Sequence, residues 1–232
     1  MLDIFSSFDP DTLTLHSSLS PLLFWALNTT LLLLISSSFW IFPTRSFWIL
    51  HATINIMSSQ LSRTFSSSLT STHALLAPLF VMLIMINLMG LLPYVFSSSS
   101  HLLFTLSLGL PMWMALIVSS ITNSPSYFAA SLLPSGAPDW LNPFLVLIET
   151  VSILLRPITL SFRLAANMSA GHVVLTLAGI YTATFMFTGT LTQTASFFAF
   201  QTFYILFEMG ICLIQAYIFC LLLSLYSDDH TA

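Results

Sequence analysis

The chain has 232 residues, 56% of them hydrophobic and only 5% charged, with a mean hydropathy of +0.95. Soluble domains carry roughly a quarter charged residues, so this composition is that of a membrane protein. There is no lysine; Arg45, Arg63, Arg156 and Arg163 stand against eight acidic residues for a formal net charge of −4, which excludes nucleic-acid binding and polybasic anchoring.

The N-terminal stretch Met1 to Ser18 carries Asp3, Asp9 and Asp11 and no basic residue. It matches neither the positive start of a signal peptide nor the Arg-rich face of a transit peptide, and it is expected to carry no import label. The first apolar run long enough to cross a bilayer is 21–42, stopped by Pro43. Residues 45–72 are rich in Ser and Thr, yet Phe47, Leu50, Ile54, Met57, Leu61 and Phe65 recur at helical spacing, predicting an amphipathic helix on the membrane surface. Two further apolar stretches, 74–96 and 101–122, flank Ser97-Ser98-Ser99-Ser100, a connection short enough for an antiparallel pair. Arg45 and Arg63 both fall between the first and second spans, so the positive-inside rule puts that segment inside and the acidic N-terminus outside.

Beyond Asp139 the pattern changes. Residues 140–187 run nearly unbroken, and one helix of that length measures roughly 72 Å, over twice a ~30 Å hydrocarbon core. Either it breaks near Pro157 or Gly171, or it lies strongly tilted. Residues 192–227 repeat the problem at about 54 Å, with Gly189 as the natural turn between the two segments. Composition thus gives an all-α integral membrane protein in a single membrane domain, with about five membrane helices and one interfacial helix. Cys212 and Cys220, eight residues apart on one helix, are separated by about 12 Å. They cannot bridge one another or build a zinc site alone, and read as packing residues.

The first three spans hold no Asp, Glu, Lys or Arg, whereas the last two segments hold Glu149, Arg156, Arg163, His172 and Glu208. A charge inside the membrane costs a few kcal/mol or more and is functional by default. Arg163 is the hardest to explain as packing, because it lies deep in an apolar stretch and guanidinium cannot escape by deprotonating. Steps of seven place Glu149, Arg156 and Arg163 on one helical stripe, with His172 about half a turn away. Ala166, Asn167 and Ala170 beside Arg163 are small enough for another helix to come close. Glu208 and Gln215 share a face of the last helix; Gln215 is expected to bond Arg163 across the hairpin, with Glu208 falling near His172. No haem-type histidine pair, cysteine cluster, nucleotide loop or nucleophile with a base is present, so no cofactor, metal site or bond-making chemistry is expected on this chain.

The run Glu149-Thr150, Arg156-Pro157 and Ser161-Phe162-Arg163-Leu164-Ala165-Ala166-Asn167-Met168-Ser169-Ala170-Gly171-His172 closely resembles the signature helix of subunit a of the F-type ATP synthase, in its animal mitochondrial form. Asn87-Leu88-Met89-Gly90-Leu91-Leu92-Pro93-Tyr94, His101, Leu132-Leu133-Pro134 with Gly136 and Pro138, and Glu208 followed by Ile214-Gln215-Ala216-Tyr217 continue the likeness in order. The resemblance implies a stator subunit carrying two offset proton half-channels beside a rotor ring of c subunits, whose carboxylates carry the protons. It implies that the last two segments form a tilted hairpin against that ring, and that Arg163 is the essential rotor-facing arginine. It makes His172 and Glu208 groups of the half-channel from the intermembrane space and Glu149 a matrix half-channel residue. Asn167 and Gln215 complete the expected pathway.

The implied partners are the c ring, other membrane-sector subunits, the lipid bilayer and protons. The implied place is the mitochondrial inner membrane, N-terminus in the intermembrane space and C-terminus in the matrix. Arg156, often glutamine in animal members, is a second positive element or a helix anchor. The competing reading is a self-contained proton or cation transporter with Arg163 paired internally to Glu149 or Glu208, although no internal repeats are evident.

Overall fold

A computed structural model describes residues 45–63, 70–92, 97–133 and 139–231, together with Phe8, Ala26 and Val95. Apart from Ala26, the expected first span, 21–42, lies outside these residues, as does the acidic N-terminus apart from Phe8. The described chain is all-α: α1 (Arg45–Leu61), α2 (Thr70–Gly90), a 3-10 turn (Ser98–Ser100), α3 (Leu102–Asn123), α4 (Pro125–Ser131), a second 3-10 turn (Asp139–Leu141), α5 (Asn142–Thr188) and α6 (Leu191–Thr231). In hydrocarbon every backbone N–H and C=O needs an internal partner, and the helix supplies it. The many hydroxyls solve the same problem locally. Thr53 donates to Leu50 O at 2.8 Å, Ser120 to Ile117 O at 2.7 Å, Thr182 to Gly179 O at 2.8 Å and Ser227 to Ser224 O at 2.6 Å, so a Ser/Thr-rich sequence stays helical in an apolar setting.

The helices α3, α5 and α6 are long and apolar enough to cross a membrane, and Ala74–Gly90 within α2 is a shorter apolar helix. The stretch expected to run as one helix over 45–72 is divided. α1 stops at Leu61, and Thr70 to Thr72 belong to α2, which ends at Gly90 rather than at 96. α3 follows within a residue of its expected bounds, and α4 was not anticipated.

α5 is continuous for 47 residues, about 70 Å, through both Pro157 and Gly171, and α6 for 41 residues, about 60 Å. Rods of this length enter a ~30 Å core only obliquely or with long ends outside it. Pro157 costs the helix one backbone hydrogen bond, and the surrounding packing holds the rod together across it. A Cβ on Gly109 of α3 would sit 3.4 Å from Ser161 Oγ and 3.7 Å from the Pro157 carbonyl, so the missing side chain brings α3 against α5 at that level.

The core sits where α1, α2, α5 and α6 meet. Met57 and Leu61, Phe80 and Leu83, Leu160 and Leu164, and Phe219 and Leu223 pack there, each helix offering its residues at spacings of three and four. Met57 and Leu61 of the stripe expected on α1 are therefore turned toward the protein, while Trp48, Ile49 and Ile56 remain exposed. α5 and α6 run antiparallel. The stacked rings of Phe185 and Phe197 (4.7 Å between centroids), Gly171 beside Glu208, Asn167 bonded to Gln215 and Arg156 over the Tyr226 ring mark the register from the turn to the far end.

Candidate functional site

The polar groups singled out from sequence all lie on this hairpin, at three levels along α5. At the first, Arg156 Nη2 donates to Glu149 Oε1 at 3.3 Å, with the two side chains 25% and 36% exposed. This i, i+7 contact realises the predicted stripe. The guanidinium carbon also lies 4.9 Å from the centre of the Tyr226 ring on α6, a cation–π distance. Arg156 thus ties the first half of α5 to the end of α6. Alongside it, Ile148, Val151, Ser152, Leu155, Arg156 and Thr159 line an open groove of about 430 Å3 on the outer side of α5.

At the second level stands Arg163. Its residue is exposed on the outside of the hairpin, and among the described residues no hydrogen bond or ion pair engages it. Ala166 and Ala170, on the same side, are exposed too. Gln215 does not bond Arg163 as expected: its Oε1 accepts instead from Asn167 Nδ2 at 3.0 Å. The correction is one of register. The hairpin places Gln215 opposite the residue one turn past Arg163, and Asn167 turns inward while Arg163 turns out. Arg163 pairs with neither Glu149 nor Glu208 among the described residues, which removes the arrangement the transporter reading requires.

At the third level Glu208 is buried, 1% exposed, in a notch made by Gly171. A Cβ on Gly171 would fall 1.6 Å from Glu208 Oε1 and 2.6 Å from Oε2, so the carboxylate occupies the space an alanine methyl would need. Tyr204, four residues before Glu208 on α6, shares its helical face. His172 follows Gly171 and so comes to the level of Glu208. Its Nε2 is buried with no hydrogen-bond partner among the described residues, so that nitrogen makes no bond to Glu208. Phe8 packs on His172 edge to face, ring centroids 6.2 Å apart and planes at 85°.

Below this level, Met168 connects to both flanks. Cys212 Sγ lies 3.5 Å from Met168 Sδ, and a Cβ on Gly90 would lie 3.3 Å from Met168 Cε and 3.4 Å from Ser97 Cβ. The first 3-10 turn thus packs onto α5 beside the end of α2. Here Asn87, Ser98 and Ser99 are buried, and their side-chain polar atoms lack hydrogen-bond partners among the described residues. Each unmet polar group costs about 1–3 kcal/mol, and buried water is the usual remedy. Cys212 and Cys220 are free and buried, as packing residues are. Sequence reasoning missed the Gly171 notch, Tyr204, Phe8 and this polar patch. Only the glycine beside a motif histidine was a usable signal, since the others depend on contacts distant in the chain.

An all-helical fold, with ionisable groups strung along a hairpin longer than the bilayer is thick, defines a multi-pass integral membrane protein. Residues 19–228 match the family described as ATP synthase A chain, and the chain belongs to that family. It is 38% identical to ATP synthase subunit a of Locusta migratoria, over 99% of each chain. To ATP synthase F(0) complex subunit a of Rhopalosiphum padi it is 32% identical, over 98% of this chain and 99% of that one. To ATP synthase subunit a of Albinaria caerulea it is 41% identical, over 71% of this chain and 76% of that one. The protein is thus a membrane-sector subunit of the ATP synthase, concerned with proton transport and ATP synthesis.

Proposed function

We propose that this chain is the proton-translocating stator of the membrane sector. In this reading it offers two offset half-channels on either side of Arg163, which faces the carboxylates of a rotor ring of c subunits. The observation that carries it is the contrast between two arginines on one helical stripe. Arg156 is held by Glu149 and Tyr226, whereas Arg163 is exposed on the outer side, flanked by small residues, with no acid of this chain against it among the described residues. A guanidinium in that position calls for a counter-ion from elsewhere. At about 4 Å and an effective dielectric of 20, a carboxylate opposite it gains on the order of 4 kcal/mol.

Each passing rotor carboxylate is attracted to Arg163 in its ionised form, and the fixed cation bars protons from running straight between the half-channels. Buried Glu208, with His172 and Tyr204, passes protons on one side, and the unmet polar atoms of Asn87, Ser98 and Ser99 support a hydrated inlet there. Glu149 and the groove along Ser152 and Thr159 serve the other side. The membrane potential supplies about 2.3 kcal/mol per 100 mV for each charge moved, which gives the rotation its direction. Asn167 and Gln215, bonded to each other, brace the hairpin behind Arg163. The chain itself makes and breaks no covalent bonds. It resides in the mitochondrial inner membrane with its N-terminus in the intermembrane space and its C-terminus in the matrix.

The test is disulfide cross-linking in the assembled enzyme between Ala166→Cys and cysteines placed along the outer helix of a c subunit. Efficient cross-linking at the level of the rotor carboxylate is expected, and Arg163→Ala is expected to abolish proton-driven ATP synthesis with assembly intact. Absence of any cross-link, or coupled synthesis in the Arg163→Ala enzyme, overturns the reading.

A further inference from the structure

His172 follows Gly171, the residue against which Glu208 is seated, and nothing bonded to its Nε2 fixes how the ring is turned. That nitrogen is buried without a hydrogen-bond partner among the described residues, on a helix whose neighbouring glycine is filled by the Glu208 carboxylate. What lies against the imidazole is a ring from the other end of the chain. Phe8 meets it at 6.2 Å and 85°, within the 4.5–7 Å range and near the perpendicular arrangement that aromatic pairs favour. Phe8 is itself half-buried. Helical geometry alone leaves the imidazole several staggered rotamers, and an aromatic neighbour on one face removes those that swing across it.

We propose that Phe8 is a positioning residue for His172: its ring packs edge to face on the imidazole and holds it with Nε2 turned inward, at the level of the Gly171 notch where Glu208 lies. The contact joins Phe8 to the middle of α5, so the proton pathway includes a residue that none of the charged residues identifies. Phe8 moves no proton and acts only through His172. This inference rests on the reading of His172 as a pathway group, and one arm of its test is independent of that reading.

The experiment uses the assembled ATP synthase in liposomes, with Phe8→Ala, Phe8→Leu and Phe8→Tyr, each with and without His172→Ala. The first arm measures carbethoxylation of His172 by diethylpyrocarbonate, resolved from the other histidines by peptide mass spectrometry. Loss of the aromatic pair in Phe8→Ala and Phe8→Leu is expected to raise the modification rate about two- to tenfold, with Phe8→Tyr close to the parent. The second arm measures proton flux. Phe8→Leu is expected to slow it when His172 is present and to change nothing further when His172 is already alanine, because coupled residues are non-additive.

An unchanged modification rate in Phe8→Leu, or the same proportional loss of flux in both backgrounds, overturns the proposal. So does failure of Phe8→Leu to assemble, which assigns Phe8 to folding. If His172→Ala alone leaves flux at the parent value, the pathway reading fails instead, and the modification arm still decides whether Phe8 holds the ring.

Discussion

Gly171→Ala is the sharpest probe of the site. The added methyl carbon falls 1.6 Å from Glu208 Oε1, whereas ordinary contact begins at 3.4 Å, so the oxygen must retreat by about 1.8 Å. The obstacle is the end of a flexible side chain rather than backbone, so the hairpin need not part. Overpacking of this kind costs about 1–3 kcal/mol. It is expected to displace the carboxylate from its notch and not to prevent assembly. Misplacing a reacting group by 1 Å costs up to about 10²-fold in rate, but water can bridge part of the gap. The expected loss of proton flux is about tenfold, equivalent to ~1.4 kcal/mol. Flux through reconstituted enzyme, beside the yield of assembled complex on native gels, measures both effects. Glu208→Asp in the Gly171→Ala background, shorter by one methylene, is expected to recover part of the loss. Parent-level flux in Gly171→Ala would refute the claim that the seat of Glu208 matters to proton transfer.

Two further outcomes follow from the same geometry. The His172→Ala, Glu208→Ala double variant is expected to slow proton flux severalfold without abolishing it, because water replaces relay groups in part; unchanged flux ends their assignment to the pathway. Arg156→Gln removes a half-exposed ion pair and a cation–π contact, together worth about 1 kcal/mol. It is expected to lower the thermal stability of the assembled complex slightly while ATP synthesis continues, and a loss of synthesis as complete as that expected of Arg163→Ala would show that Arg156 is more than an anchor.

How far the sequence carries can be read from particular residues. The hairpin and its stray charges were legible because every charge in an apolar run is conspicuous, and seven-residue spacing put Glu149 and Arg156 on one stripe, where the structure joins them. Whether 140–187 broke was not legible. Pro157 and Gly171 are the usual breakers, and only the approach of α3 at Gly109 and of Glu208 at Gly171 shows why the helix continues past them. The partner of Gln215 was misjudged by one turn, since periodicity fixes a face but not the register of two antiparallel rods. The end of α1 at Leu61 escaped because Ser and Thr are as common inside these helices as between them. The edge contact of Phe8 on His172 joins residues far apart in the chain, and no local pattern announces it.

The unbroken course of α5 has a mechanical consequence. Glu149, Arg163 and His172 are graduations on one rigid ruler, the outer two about 35 Å apart along it. Inserting or deleting a single residue between them would rotate one end by about 100° against the other. Evolution can therefore exchange the marks on this ruler far more readily than it can change their spacing.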